Sequence, residues 1–351
     1  MIILKQTLVI KKMKILFQAY NTCCQNTSGG VQNRLRKIHD LLVEKGYQVD
    51  YFNPFETRLE EYDILHVFSL NIESYALMQV AKQKGIKIVL SSIVNTINGR
   101  KIDFYRNVIG KLPIITTYKI LHNTIHLADT IIVETQAELD FIHKHYLIDK
   151  TKMVIVPNGI DENLWQGKEI FDRIGGEKKF ILQVGRFDAN KNQLNVISAM
   201  KDTDIDVVFI GGGDAKNSSY YDKCKNEAKD SKNLHLLGWI NSNDPILKSA
   251  FQLADTLVLP SFSETFGLVA LEAGICGAKL ALSNTLPLLS YKCMSQVPTF
   301  SPDNTQQIKE VLTNTYNQEN GNDLKKLIKQ EFDWGKIIDK HIQIYKEAKC
   351  F

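Results

Sequence analysis

Short apolar runs alternate with helix-length segments along this chain, and that alternation constrains the fold more than any other feature. Strands buried on both faces of a parallel sheet read as near-continuous apolar runs, and each needs a crossover of a dozen or more residues to reach its neighbour. Runs of this kind fall near 14–19, 47–52, 63–68, 86–91, 130–133 and 153–156. The pattern restarts near 179–184, 205–210, 233–237, 256–260 and 279–282. The expectation is an α/β chain with two parallel sheets. Between the first two runs, Leu35, Ile38 and Leu42 share one face of a helix over about 31–45, which Gly46 closes.

With 351 residues there is room for two cores. The join reads as Pro157-Asn158-Gly159-Ile160-Asp161, followed by a polar stretch to Lys179 that holds Gly175-Gly176. This has the composition of a linker. It divides the chain into a domain over 13–160 and a second over 161–333. The tail is helical from about 303. Its last helix carries Trp334, Ile337, Ile338, Ile342 and Tyr345 at helical spacing, and 334–351 is expected to return to the first domain. Residues 1–12 are short and Lys-interrupted, unlike a signal peptide. They read equally as an extension before Met13 or as a small structural piece.

No run approaches the roughly 18–20 apolar residues that cross a bilayer. The six cysteines form no CxxC pair, and a bridge between adjacent Cys23 and Cys24 would be strained. A reduced, cytoplasmic setting is expected. The net charge of +4 suits anionic substrates or an anionic membrane surface and is too small to argue for nucleic acid.

The chemistry concentrates in Ser263-Glu264-Thr265-Phe266-Gly267-Leu268-Val269-Ala270-Leu271-Glu272. A strand, Thr256–Pro260, leads into this turn, and an almost wholly apolar helix over 266–276 follows it. Glu264 stands just before the helix start, where free N–H groups attract anions. Glu272 lies on the apolar helix, where a carboxylate is unfavourable unless it is paired. Three further loops follow predicted strands: Ser28-Gly29-Gly30, Gly185-Arg186 with Lys191, and Gly211-Gly212-Gly213-Asp214. Ligands of open α/β sheets bind at such strand ends, and an Arg–Lys pair suits a diphosphate. A tight turn or a solvated surface would explain each loop taken alone. Leu237-Gly238-Trp239-Ile240 could read a base edge or simply place an aromatic in the core. The repeated Asp-x-Asp of 202–206 reads as a polar turn, and His143-Lys144-His145 as a surface helix end.

In this order, with Ala128-Asp129, Ala254-Asp255 and Pro260-Ser261 between them, the motifs resemble the family-4 glycosyltransferases of the GT-B fold from Met13 onward. The resemblance implies two Rossmann-like domains facing a central cleft, with the C-terminal helix crossing back to the first. It implies transfer of a sugar from a nucleotide diphosphate sugar to a glycan or lipid-linked acceptor with retention at the anomeric carbon. It implies no cofactor and no metal. Arg186 and Lys191 would clamp the diphosphate, and Glu264 would hold the sugar hydroxyls. Thr265, Phe266, Gly267 and Leu268 would face sugar and phosphate, and Glu272 the ribose. Gly29 and Gly30 would face the diphosphate from the first domain, with Gly185, Gly213, Trp239 and Ile240 completing the donor site. Surface polysaccharide or lipopolysaccharide synthesis is the expected setting. The alternative is a catalytically silent subunit of the same fold.

One departure stands out. The family often carries a histidine after the fourth strand, near the 6-hydroxyl of the donor sugar. Here that region reads Val89-Leu90-Ser91-Ser92-Ile93-Val94-Asn95. Either the contact is lost, or Ser92 or Asn95 supplies it, or a 6-deoxy sugar or pentose does not need it. His66, on the preceding strand, reads as a satisfied core histidine. On the acceptor side, Arg100, Lys101, Arg106, Lys111 and Lys119 interleave with Phe104, Tyr105, Ile109 and Leu112. That pattern fits a helix pair in water or a segment resting on an anionic membrane.

Overall fold

The structure is a computed structural model that describes residues 13–19, 30–162, 165–213, 217–319, 321 and 323–350. Gly29, Asp214, the adjacent cysteines and the first twelve residues lie outside the described residues. Among the described residues, twelve strands form two six-stranded sheets, and every pairing is parallel. The first sheet holds β1 (Lys14–Ala19), β2 (Gln48–Tyr51), β3 (Ile64–Phe68), β4 (Lys87–Ser91), β5 (Thr130–Val133) and β6 (Met153–Ile155), in the order β2-β1-β3-β4-β5-β6. The second holds β7 (Phe180–Val184), β8 (Asp206–Ile210), β9 (Leu234–Leu236), β10 (Thr256–Leu259), β11 (Lys279–Ser283) and β12 (Thr299–Phe300), in the order β12-β11-β10-β7-β8-β9. Strand order reverses beside β1 in one sheet and beside β7 in the other, and ligands of doubly wound sheets enter at such reversals.

The two-residue period of the strands sorts their side chains to opposite faces. Ile15, Phe17, Ile64 and Phe68 meet the helix Gly30–Glu44 on one face of the first sheet, while Leu16, Leu65, Val67 and Leu90 build a separate core with Met78 and Ile142 on the other. The second sheet is covered on both faces in the same way. The helix Trp334–Cys350 leaves the second half and packs Trp334, Ile337, Ile338 and Tyr345 into the first half's core. At the crossing, the Ile160 N–H donates to the Phe332 carbonyl at 2.9 Å. A side chain on Gly159 would collide with the Trp334 ring, so glycine is needed for this close approach.

Two sequence expectations need correction. The polar stretch before Lys179 contains the helix Glu169–Ile174. Ile170 and Ile174, one turn apart, anchor it in the second half's core, a two-residue signal hidden among charges. His145 is not a surface residue either. It is buried, its Nδ1 lies 2.9 Å from Asp103 Oδ1, and its ring fills the space that a side chain on Gly99 would take.

Candidate functional site

Two joined cavities, of about 950 and about 570 Å³, lie between the halves and share Gly30, Arg34, Asn158 and Leu268 in their walls. Gly30 begins the helix Gly30–Glu44, and Leu268 begins the helix Leu268–Cys276. A Cβ on Gly30 would sit 3.7 Å from Leu268 Cδ1. Two helix N-termini from opposite halves therefore meet at the neck between the cavities, and both favour negative charge there.

The second half builds its wall from two loops tied together. The Asn190 side chain accepts from the Ser263 N–H at 3.1 Å and donates to the Ser263 carbonyl at 2.9 Å, while its own carbonyl accepts from the Phe262 N–H. Asn192, in the left-handed region, donates to the carbonyls of Pro260 and Pro302. Phe187, fully buried, anchors the same loop in the core. This scaffold sets Lys191 Nζ 2.5 Å from Glu264 Oε1, which also accepts from Ser261 Oγ at 2.6 Å. Lys191, Glu264, Thr265, Phe266, Gly267 and Leu268 all line the smaller cavity. Among the described residues the N–H groups of Thr265, Phe266 and Gly267 donate to no protein acceptor. Gly267 makes the turn possible with φ of 104°, which disfavours any side chain.

Glu272 opens into the larger cavity one turn and more along the same helix. Among the described residues it makes no hydrogen bond or ion pair, and burial raises its carboxyl above the ordinary carboxylate range. An unpaired acceptor in such a place can be stabilised by hydroxyl donors from a ligand.

The first half contributes differently. Arg34, buried, forms an ion pair with Glu134 and donates to the Val156 carbonyl at 3.1 Å. Arg34 Nε and Asn158 Oδ1 are buried without a partner among the described residues. Desolvation raises the Glu134 carboxyl, while the Arg34 guanidinium opposes that rise. Ser69 and Ile93, both with positive φ, complete this wall. Sequence reasoning passed over Arg34, Glu134, Ser69 and Ile93. Only the position of Arg34, one turn past Gly30 on its helix, offered a signal.

The remaining expected residues fall as follows. Arg186 is 54% exposed, with Nε 3.0 Å from Asp188 Oδ2, and lies outside both cavity walls. Gly185, Gly213, Trp239 and Ile240 also lie outside them, and Trp239 is 68% exposed. Ser92 does not face the cleft. It is fully buried, and its hydroxyl donates to Glu138 Oε1 at 2.7 Å, so Ile93 takes the cavity wall instead. Asn95 spans the cleft, donating to Ser263 Oγ at 3.0 Å. His66 is buried between Tyr345 Oη and Ser91 Oγ at 2.7 and 2.9 Å, a satisfied core histidine.

Residues 55–164 match the model of Glycosyltransferase Family 4, and residues 168–332 match that of Glycosyl transferases group 1. The chain belongs to the family-4 glycosyltransferases of the GT-B fold. An uncharacterised glycosyltransferase of Methanocaldococcus jannaschii is 28% identical over 217 residues, which is 57% of this chain and 55% of that protein. The chain spans about half the length of the curated relatives it matches. Among solved structures, sucrose-phosphate synthase from Thermosynechococcus elongatus superposes with a TM-score of 0.76 at 15% identity, covering 96% of this chain and 99% of that one. Anabaena HepE in complex with UDP gives 0.72 at 15% identity, covering 95% and 100%. These two likenesses establish the fold across the whole chain.

Proposed function

We propose that this chain transfers a sugar from a nucleoside diphosphate sugar to an acceptor held by its first half, with retention at the anomeric carbon and no metal ion. The observation that carries the reading is the Lys191–Glu264 pair set against the unpaired N–H groups of Thr265, Phe266 and Gly267 at a helix N-terminus. The donor's diphosphate lies at the neck between the two helix ends, its sugar beside Glu264, and its ribose beside Glu272. HepE, with the same fold, is known in complex with UDP, which supports a nucleotide ligand of this class.

In the reaction the bond between the anomeric carbon and the diphosphate oxygen breaks, and its electron pair goes to the phosphate. The acceptor oxygen bonds to the same face of the sugar, and its proton passes to the departing phosphate oxygen. Positive charge grows on the sugar and negative charge on the phosphate. Lys191, the helix end and its N–H groups stabilise the phosphate charge without moving. Arg186 adds to this when its exposed side chain turns toward the phosphate. Glu264, already engaged on one oxygen by Lys191 and Ser261, keeps its other oxygen for a sugar hydroxyl.

A second observation bears on the acceptor. Phe104, on the helix Gly99–Asn107, and Val108, Leu112, Ile114 and Ile115, between it and the helix Thr117–Leu127, are all exposed, with Ile115 at 84%. Arg100, Lys101 and Lys111 are exposed beside them. Apolar side chains rimmed by cations fit an anionic bilayer surface that carries a lipid-linked glycan acceptor, as in surface polysaccharide or lipopolysaccharide synthesis. No helix among the described residues is long and apolar enough to cross a membrane.

The test is release of nucleoside diphosphate from a panel of nucleotide sugars, with EDTA present. Wild type releases it from at least one donor and Glu264→Ala does not. Equal release by both proteins, or activity abolished by EDTA, contradicts the proposal. Flotation with anionic vesicles that Ile115→Asp abolishes supports the membrane surface, and absence of flotation by wild type rejects it.

A further inference from the structure

Ser91 ends β4 in the buried sheet, the buried Ser92 follows it, and the next residue, Ile93, takes a left-handed conformation with φ of 49°. A β-branched side chain is strained there. The surrounding structure enforces it. One oxygen of the buried Glu138 accepts from Ser92 Oγ and from the Val94 N–H, both at 2.7 Å, pinning the residues on either side of Ile93. The other oxygen accepts from the Glu134 N–H at 2.7 Å. Two residues on, Asn95 is tied across the cleft to Ser263, the neighbour of Glu264. Val94 packs into the core beneath, whereas Ile93 joins none of the four hydrophobic clusters and lines the smaller cavity with Lys191, Glu264 and Thr265. Strain held in place by a buried carboxylate, and serving no packing inside the protein, points to a ligand.

We propose that Ile93 selects the transferred sugar, and that the sugar is a deoxy sugar: its edge toward Ile93 carries hydrogen or a methyl group where a common hexose carries a hydroxyl. This rests on the nucleotide-sugar reading of the site. A hydroxyl turned toward Ile93 loses its water and gains no partner, while a methyl group or bare carbon gains apolar contact. Glu264 on the opposite wall holds the hydroxylated edge. Ile93 is thus a specificity determinant, and Glu138 a positioning residue that acts through it.

The test is a calorimetric comparison of donors matched in base and sugar configuration: each parent hexose against its monodeoxy analogues, one for each hydroxyl. In wild type one analogue binds about tenfold or more tighter than its parent, in line with the discrimination an apolar wall gives. Ile93→Ser brings that ratio to near one while the affinity for the free nucleoside diphosphate stays unchanged, which shows the fold is kept. Ile93→Val retains the preference. If the parent binds as tightly as every analogue, or if Ile93→Ser leaves the ratio unmoved, the proposal fails while the donor reading stands. If no nucleoside diphosphate binds at all, the donor reading fails and takes this proposal with it.

Discussion

The two walls of the cleft are built on opposite plans. The second half's wall comes from two short loops, 186–192 and 260–268, clamped to one another by Asn190 and Asn192. It is polar, and it leaves N–H groups and carboxylate oxygens free for a ligand. The first half's wall is assembled from positions far apart. Arg34 reaches Glu134 over 100 residues and Val156 over 122. Its polar groups are mostly engaged with each other, and the element it turns to the cavity, the half-buried Ile93, is apolar and strained. The difference suggests a division of labour: one wall holds charge common to all nucleotide donors, and the other sets which sugar is accepted.

Breaking the first wall's internal pairing gives the largest effect on the fold. Arg34→Ala leaves Glu134 buried without its cation and costs about 3–5 kcal/mol in denaturant unfolding. Arg34→Met with Glu134→Gln, which removes both charges, recovers most of that loss. Removing a charge from the other wall acts on chemistry instead. Lys191→Ala lowers the rate of donor turnover by about a hundredfold to a thousandfold, as loss of one preorganised donor to a developing anion does. Its unfolding midpoint moves little, because Ser261 still serves Glu264.

The pH response separates the walls again. Burial and the nearby Glu134 charge push the Glu138 carboxyl up to about 7 from an ordinary 4.5. The folded state therefore holds a proton that the unfolded chain releases. The stability from this group is full below about 4.5 and is lost as pH rises through about 7. A pH series of unfolding midpoints should decline over that window, and Glu138→Gln should flatten the decline. Smaller still is the effect expected at the proposed ribose contact. Glu272→Gln weakens nucleoside diphosphate binding about tenfold with the turnover rate nearly kept, the sign of a contact made equally in ground and transition states.

The same contrast explains what could be read from the sequence. Most strands declared themselves because parallel strands buried on both faces are unbroken apolar runs. Among the strands β12, two residues long, escaped, and the helix Glu169–Ile174, two apolar residues among charges, was read as a linker. The second wall was legible for the same local reason, since Glu264, Thr265, Gly267 and Glu272 lie within ten residues. Glu134 and Ile93 carry no local pattern, and Arg34 carries only its place one turn past Gly30. Their meaning depends on which distant strand ends the topology brings together, and on a left-handed turn that Glu138 enforces from another helix. Ser92 illustrates the cost: adjacent in sequence to the cavity, it faces the core.

The central claim is that the cleft holds the diphosphate of a nucleotide sugar against Lys191 and the N-terminus of the helix Leu268–Cys276. Calorimetric titration of a set of nucleoside diphosphates into wild type and Lys191→Ala tests it most directly. The account predicts that at least one binds wild type at a single site and that the variant weakens it tenfold or more. Equal binding to both proteins, or binding to neither, would contradict it.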